Sequence, residues 1–284
     1  MHGPPVLGVG LGYRQELRQM ILESADVIDF LELLTDQYID APPQRDAEAV
    51  DLSARFPVLL HGVDMSLGTD QAPDAEYVGK IQRLAERVHP EWISDHLCFT
   101  QVPGLSLGQL TPLAFTPETA RIAARNIKSV AREFDQPFAV ENISYYFRVP
   151  WSTLSEAEFL TEVVDRADCH LLLDLTNVVN NATNLEYTAT EFLDRIPLER
   201  VLQIHLAGGY WHNGVLLDTH SHPVPQDVLE LLGSYAPRMP ALKAVMIERD
   251  QNFPPPAELL AELAGVRKVL APSWPTARCE EAAP

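Results

Sequence analysis

Six short apolar runs of this 284-residue chain close on a histidine or a carboxylate: His61, Asp95-His96, Glu141, Asp174, His205 and Glu248. Asn177 follows Asp174 by three positions, and a loop beyond His205 adds Asp218 and His220. Any one of these is ordinary where a strand meets solvent; the joint pattern is not. Carboxylates gathered on one rim repel each other and raise their own pKa values unless protons, lysines or metals neutralise them. Lysine is not at hand, because Lys80, Lys128, Lys243 and Lys268 fall in helical patterns or at a strand start. Imidazole with carboxylate suits iron, manganese or zinc, and the lack of thiolate argues against an iron–sulfur or structural zinc site. The nine candidates His61, His96, Glu141, Asp174, Asn177, His205, Asp218, His220 and Glu248 exceed what one ion needs, so two or three ions fit better. Glu141 sits mid-series and can bridge two ions through its two oxygens. Asp218 and His220, two apart in an extended loop, point to the same side and form an outlying clamp.

These residues converge only if the runs that carry them are parallel strands of one barrel. Strand-like runs are expected at Val6–Gly10, Val27–Leu33, Val58–His61, Trp92–Asp95, Phe138–Glu141, His170–Asp174, Val201–His205 and Ala244–Glu248. Between and after them lie helical patterns at about Tyr13–Glu23, Gln44–Ala54, Ala75–Val88, Pro117–Phe134, Ser155–Ala167, Thr188–Arg195, Gln226–Tyr235 and Pro256–Leu270. Thr116-Pro117 reads as an N-cap with proline at the first helical position, and Ser155-Glu156-Ala157-Glu158 as a capping box. Eight alternations predict a single (β/α)8 TIM barrel over residues 1–271, with 272–284 as a disordered tail. An open doubly wound sheet is the alternative, but the glycines of Gly8-Val9-Gly10-Leu11-Gly12 do not have dinucleotide-binding spacing. Barrel active sites lie at the C-terminal strand ends, which is where the candidate ligands stand.

Composition narrows the partners. With 40 acidic against 21 basic residues the formal charge is −19, which repels phosphate backbones and anionic membranes and makes nucleic acid a poor partner. Cys98, Cys169 and Cys279 are too few and scattered for a disulfide framework, suiting a reducing cytoplasm. Neither a signal peptide nor a run of transmembrane length is present, so a cytoplasmic chain is expected. His2, His89 and His170 are placed away from the rim, whereas His212 and His222 lie in the loop after the seventh strand, within reach of a substrate. Tyr145, Tyr146 and Trp151 line a pocket or pack the core.

The motifs His61-Gly-Val-Asp-Met-Ser-Leu-Gly68, Ser94-Asp-His-Leu97, Glu141-Asn-Ile-Ser144, Leu171-Leu-Leu-Asp-Leu-Thr-Asn177, His205-Leu-Ala-Gly208, Asp218-Thr-His220 and Glu248-Arg-Asp250 resemble those of the multinuclear non-haem iron-dependent oxidative enzymes. That family includes the oxidase that builds the oxazolone rings of methanobactin. The resemblance spans about residues 6–270 and implies a xylose-isomerase-like barrel holding two or three irons, Fe(II) and Fe(III), with dioxygen as co-substrate. Carried over, Glu141, Asp174, His205 and Glu248 hold one iron, His61, His96 and Glu141 a second, and Asn177, Asp218 and His220 a third. Asp250, with Glu141, is the catalytic candidate and lies near substrate. The implied reaction is oxidation of a ribosomally synthesised peptide, most often at cysteine, with a separate leader-peptide-binding partner protein. Three places depart from the family pattern: Thr176 beside the ligand Asn, the pair Thr35-Asp36 where a Glu-Asn pair is usual, and Gly209 where His commonly follows.

The rival reading is a divalent-metal-dependent sugar isomerase or epimerase on the same barrel, which ordinarily uses an active-site lysine that no strand end here supplies. A zinc endonuclease is disfavoured by charge. A silent binding module has no reason to keep nine ligand-type residues on one rim.

Overall fold

The computed structural model describes residues 4–102 and 104–274. Eight parallel strands close into a barrel: β1 (Gly8–Gly12), β2 (Leu31–Leu34), β3 (Val58–Gly62), β4 (Ile93–His96), β7 (Phe138–Glu141), β8 (His170–Asp174), β9 (Val201–Leu206) and β12 (Ala244–Ile247), with β1 pairing both β2 and β12. Two small antiparallel hairpins, β5 (Phe99–Val102) with β6 (Leu105–Thr111) and β10 (Tyr210–His212) with β11 (Val215–Leu217), stand in the loops after β4 and β9. The helices are α1 (Arg18–Glu23), α2 (Pro43–Ser53), α3 (Ala75–Val88), α4 (Pro117–Ala131), α5 (Glu156–Ala167), α6 (Leu175–Leu185), α7 (Ala189–Leu193), α8 (Gln226–Tyr235) and α9 (Pro256–Leu270). Both expected caps form: Thr116 accepts from the Thr119 amide, and Ser155 with Glu158 makes a reciprocal capping box.

Strand alternation divides the apolar residues in two. Outward residues such as Leu31, Leu33, Leu60, Ile93, Val140, Leu173, Ile204, Val245 and Ile247 join the main core beneath the helices. Inward residues Phe30, Leu59, Trp92, Leu202, Ala244 and Met246 pack against each other inside the barrel. Further along the barrel interior, toward the C-terminal strand ends, stand Glu32, His61, Ser94, Glu141, His205 and Glu248. The barrel is therefore plugged with apolar side chains below and lined with polar ones above. The glycines of β1 make this plug fit: a Cβ on Gly10 would lie 2.6 Å from the Phe30 ring and from the Phe30 carbonyl oxygen.

Several boundaries differ from expectation. The first strand begins at Gly8 rather than Val6, because Gly8 adopts φ +110 and Val6 turns out to solvent. The fourth extends to His96. The largest omission is α6, whose sequence Leu-Thr-Asn-Val-Val-Asn-Asn-Ala-Thr-Asn-Leu has poor helix propensity. Burial of nearly the whole segment, and capping by Asp174 of the Asn177 amide at 2.7 Å, override that propensity. The first helical pattern splits into a 3-10 turn at Gln15–Leu17 and α1. Of the expected tail, residues 272–274 continue in a turn off α9 with Trp274 packed against the core, and 275–284 lie outside the described residues.

Candidate metal centre

Each candidate ligand is delivered by a strand end or by the loop that follows it, except Asn177, which stands in the first turn of α6. Glu141, closing β7, lies at the middle. Its Oε2 is 3.1 Å from His61 Nε2 and 3.4 Å from His96 Nε2, and those two nitrogens are 3.3 Å apart. Its Oε1 is 3.4 Å from His205 Nδ1, which is in turn 3.3 Å from Glu248 Oε2. Ligand-type atoms of His61, His96 and Glu141 form one group, and those of Glu141, Asp174, His205 and Glu248 another; within each, all atoms lie within 4.8 Å of one another. Glu141 belongs to both.

The outlying pair behaves differently. His220 Nε2 lies 3.0 Å from Asp218 Oδ1, while His220 Nδ1 meets Asp250 Oδ2 at 3.0 Å and Glu248 Oε2 at 3.5 Å. The expected extended geometry is corrected here: His220 takes a left-handed backbone, φ +49, and this turn swings its ring between Asp218 and Asp250. Asp250 also accepts from Arg14 Nε at 2.6 Å. It is thus a carboxylate on the partly exposed edge of the cluster, held by a cation and an imidazole.

Buried polar atoms normally find hydrogen-bond partners. Fourteen buried side-chain atoms among the described residues make no hydrogen bond of good geometry, close ion pairs aside, and seven of them are His96 Nδ1, Glu141 Oε2, Asp174 Oδ2, Asn177 Oδ1, His205 Nδ1, Asp218 Oδ1 and His220 Nε2. These seven, half of the total, belong to residues of the expected ligand set, and oxygen with imidazole nitrogen is a donor set that iron accepts. The far sides of the His61 and His205 rings are by contrast fixed. His61 Nδ1 meets Ser94 Oγ at 2.9 Å, and His205 Nε2 meets Glu32 Oε2 at 3.1 Å. Trp92 Nε1 donates to Gln203 Oε1 at 2.7 Å, and Gln203 Nε2 donates to the same Glu32 oxygen at 2.6 Å. A carboxylate behind a ligating histidine sets its tautomer and orientation, so Glu32 turns the Nδ1 lone pair of His205 toward Glu141 and Glu248.

The imidazoles neutralise much of the carboxylate repulsion. Burial pushes Glu141 and Glu248 upward, yet neighbouring histidines outweigh it and hold both carboxyls below the usual range. Asp174 goes the other way, raised by burial and by the nearby Asp218 and Glu141. Burial disfavours charge on every ring. Nearby carboxylates win at His61, lifting it to about 9, whereas burial wins at His96, lowering it to about 4.

The family of RiPP precursor modification enzymes MbnB/TglH/ChrH matches residues 8–271. The chain belongs to this family. It is 38% identical to a UPF0276 protein of Caulobacter vibrioides over 261 residues, covering 91% of this chain and 92% of that relative. A UPF0276 protein of Neisseria meningitidis serogroup B is 35% identical over 261 residues, covering 90% and 93%. Among solved structures, D-psicose 3-epimerase from Clostridium cellulolyticum superposes with TM-score 0.58 at 10% identity, covering 94% of this chain and 98% of that one. Endonuclease IV from Thermus thermophilus gives 0.56 at 18% identity, with 93% and 99% covered. At such identities these two likenesses speak for the barrel alone. No helix among the described residues is long and apolar enough to cross a membrane.

The three departures from the family pattern have structural work. Thr176 Oγ1 accepts from the Ala207 amide at 2.8 Å and donates to the Ala207 carbonyl at 3.1 Å, tying α6 to β9. Asp36 accepts from Tyr77 Oη and the Val63 amide. A Cβ on Gly209 would meet the Leu217 carbonyl oxygen at 1.9 Å, so the β10–β11 hairpin closes against bare backbone. His212 is exposed on that hairpin, and His222 meets Ser221 Oγ at 2.8 Å beside the Tyr210 ring. Sequence reasoning missed Glu32, Ser94, Gln203 and Arg14. The signal for Glu32 was there: it is the polar member of the inward series that Phe30 begins.

Proposed function

We propose that this chain is an iron- and dioxygen-dependent oxidoreductase that modifies a ribosomally synthesised peptide, with a cysteine side chain as the first choice of target. The observation that carries the reading is the double membership of Glu141 in two buried ligand groups, a multinuclear arrangement that one ion does not need. His61, His96 and Glu141 would hold one iron, Glu141, Asp174, His205 and Glu248 a second, and Asn177, Asp218 and His220 a third. Bound there, iron supplies Lewis acidity that lowers a thiol pKa and the electrons that reduce dioxygen.

The chain's own residues do the rest. Ser94 and Glu32 hold the His61 and His205 rings in register. Asn142 Oδ1 accepts from the Asp174 amide at 2.9 Å and its Nδ2 donates to the Asp174 carbonyl at 3.0 Å, fixing the strand end that carries this ligand. Burial of Glu141, Asp174, His205 and Glu248 keeps bulk water away. Asp250, oriented by Arg14 and His220, is the carboxylate placed to take a proton from substrate at the open edge. A cytoplasmic setting and a leader-binding partner protein complete the reading.

The rival isomerase reading follows the barrel's likeness to sugar epimerases, but the cation at this site is Arg14 rather than lysine. The two are separated by incubating iron-loaded enzyme with the precursor peptide encoded beside its gene, with the leader-binding protein, under air and under argon. Oxidation consumes dioxygen and shifts peptide mass only under air. An unchanged mass under air overturns the choice of substrate, and conversion at constant mass of a ketose supplied in a parallel reaction under argon favours the isomerase.

A further inference from the structure

Behind the loop that follows Glu141, between α5, α6 and α7, lies a cavity of about 440 Å³ walled by Phe115, Val149, Leu154, Leu185 and Phe192. None of these belongs to the metal centre. The polar groups of the cavity are already satisfied: Glu156 accepts from Tyr145 Oη at 2.8 Å and from Tyr187 Oη at 3.3 Å. Burial raises the Glu156 carboxyl to about 7, so it carries little charge into the space below that pH. At the mouth, Arg148 donates to the Leu185 carbonyl at 2.8 Å, and Arg195 interacts with Glu191. The carbonyl orients the Arg148 side chain without neutralising it, so a ligand meets apolar walls with a guanidinium beside them.

Two of its walls lead directly to the metal centre. Tyr145 stands four residues beyond Glu141 in sequence, a span of at most about 14 Å. Leu185 ends α6, the helix capped by Asp174 and carrying Asn177. On the same loop Tyr146, Phe147 and Trp151 face solvent, Trp151 at 87% exposure and in a left-handed conformation, φ +63, that is costly for a bulky residue. Across from them Tyr210 and Trp211 are exposed on β10, and Tyr146 Oη accepts from the Asp218 amide at 3.2 Å, joining the two loops. An aromatic path outside a cavity serves a chain, whereas a small ligand held within the cavity has no use for it.

We infer that this cavity anchors an apolar side chain of the peptide substrate, aromatic or long aliphatic, within about five residues of the residue being modified. The inference rests on the peptide reading above. Its test uses iron-loaded protein and fluorescein-labelled glycine–serine peptides, each with one cysteine and one phenylalanine or alanine at spacings of about two, five and eight residues on either side. Fluorescence anisotropy should show phenylalanine tightening binding about tenfold over alanine at one of the two shorter spacings on one side, and little at about eight residues. Val149→Trp and Leu154→Trp, which fill the cavity, should remove that gain and leave iron content and binding of the alanine peptides unchanged. A gain equal at all spacings, or one that survives in both variants, overturns the cavity as anchor. Failure of the peptide reading shows differently: every peptide then binds no tighter than N-acetylphenylalanine amide, while Val149→Trp still abolishes binding of that amide.

Discussion

The two halves of the barrel's interior are built on the same strands and the same alternation, yet they do opposite work. In the lower half Phe30, Leu59, Trp92, Leu202, Ala244 and Met246 satisfy one another by packing. In the upper half Glu32, His61, Glu141, Asp174, His205 and Glu248 are equally buried and leave several ligand atoms without partners. Entering β2 and along β3 the change from one regime to the other takes two residues, from Phe30 to Glu32 and from Leu59 to His61. A rigid dry plug thus forms the floor of a polar, under-satisfied cluster, which is how a fold holds unpaired donors in place at a cost in stability.

Breaking each half should give separable outcomes. The largest effect is expected at Glu141: Glu141→Ala should lose two irons together, measured per chain by elemental analysis after anaerobic reconstitution, whereas His220→Ala should lose only the outlying one. Equal losses would argue against a shared Glu141. In the lower half, Leu59→Ala should cost about 2–5 kcal/mol of stability in denaturant unfolding, by lost burial plus a cavity, and leave the iron count unchanged. Iron lost in proportion to stability would erase the distinction between the halves.

Glu32 sits on the boundary between them. Glu32→Ala removes the acceptor behind His205 and should weaken iron retention against a chelator about ten- to a hundredfold. Glu32→Gln, which keeps an acceptor oxygen, should weaken it less; identical behaviour of the two variants would make Glu32 a packing residue rather than a positioning one.

How legible these halves were in the sequence differs by residue. The candidate ligands at strand ends could be picked out because apolar runs that close on His or Glu are visible in one dimension, and the barrel followed from eight alternations of strand and helix. Asp218 and His220 were legible as a pair, but not the left-handed turn at His220 that joins them to Asp250. Glu32 and Gln203 were passed over because they interrupt runs otherwise read as plain core, and their meaning depends on which neighbour shares the barrel interior. Helix α6 was hidden by its own asparagines and β-branched residues, whose low propensity is overcome only by the burial that the finished fold provides.

A smaller effect is expected away from both halves. Glu156 has a folded-state pKa of about 7 against an ordinary value of 4.5, so its protonated form contributes stability that is fully present below pH 4.5 and is lost as pH rises through 7. It is partly exposed, and solvent screens the penalty, so the loss between pH 5 and 8 is about 1–2 kcal/mol. In Glu156→Gln that part of the pH dependence should disappear from thermal unfolding curves; an unchanged slope would show that the carboxyl titrates as an ordinary exposed group.

That the upper half is a multinuclear iron centre is tested most directly by metal content and spectroscopy on protein made with iron and purified anaerobically. About two to three irons per chain are expected, with the electron paramagnetic resonance signal of a coupled mixed-valent pair. One tightly held zinc and no iron, even after iron reconstitution, would contradict it.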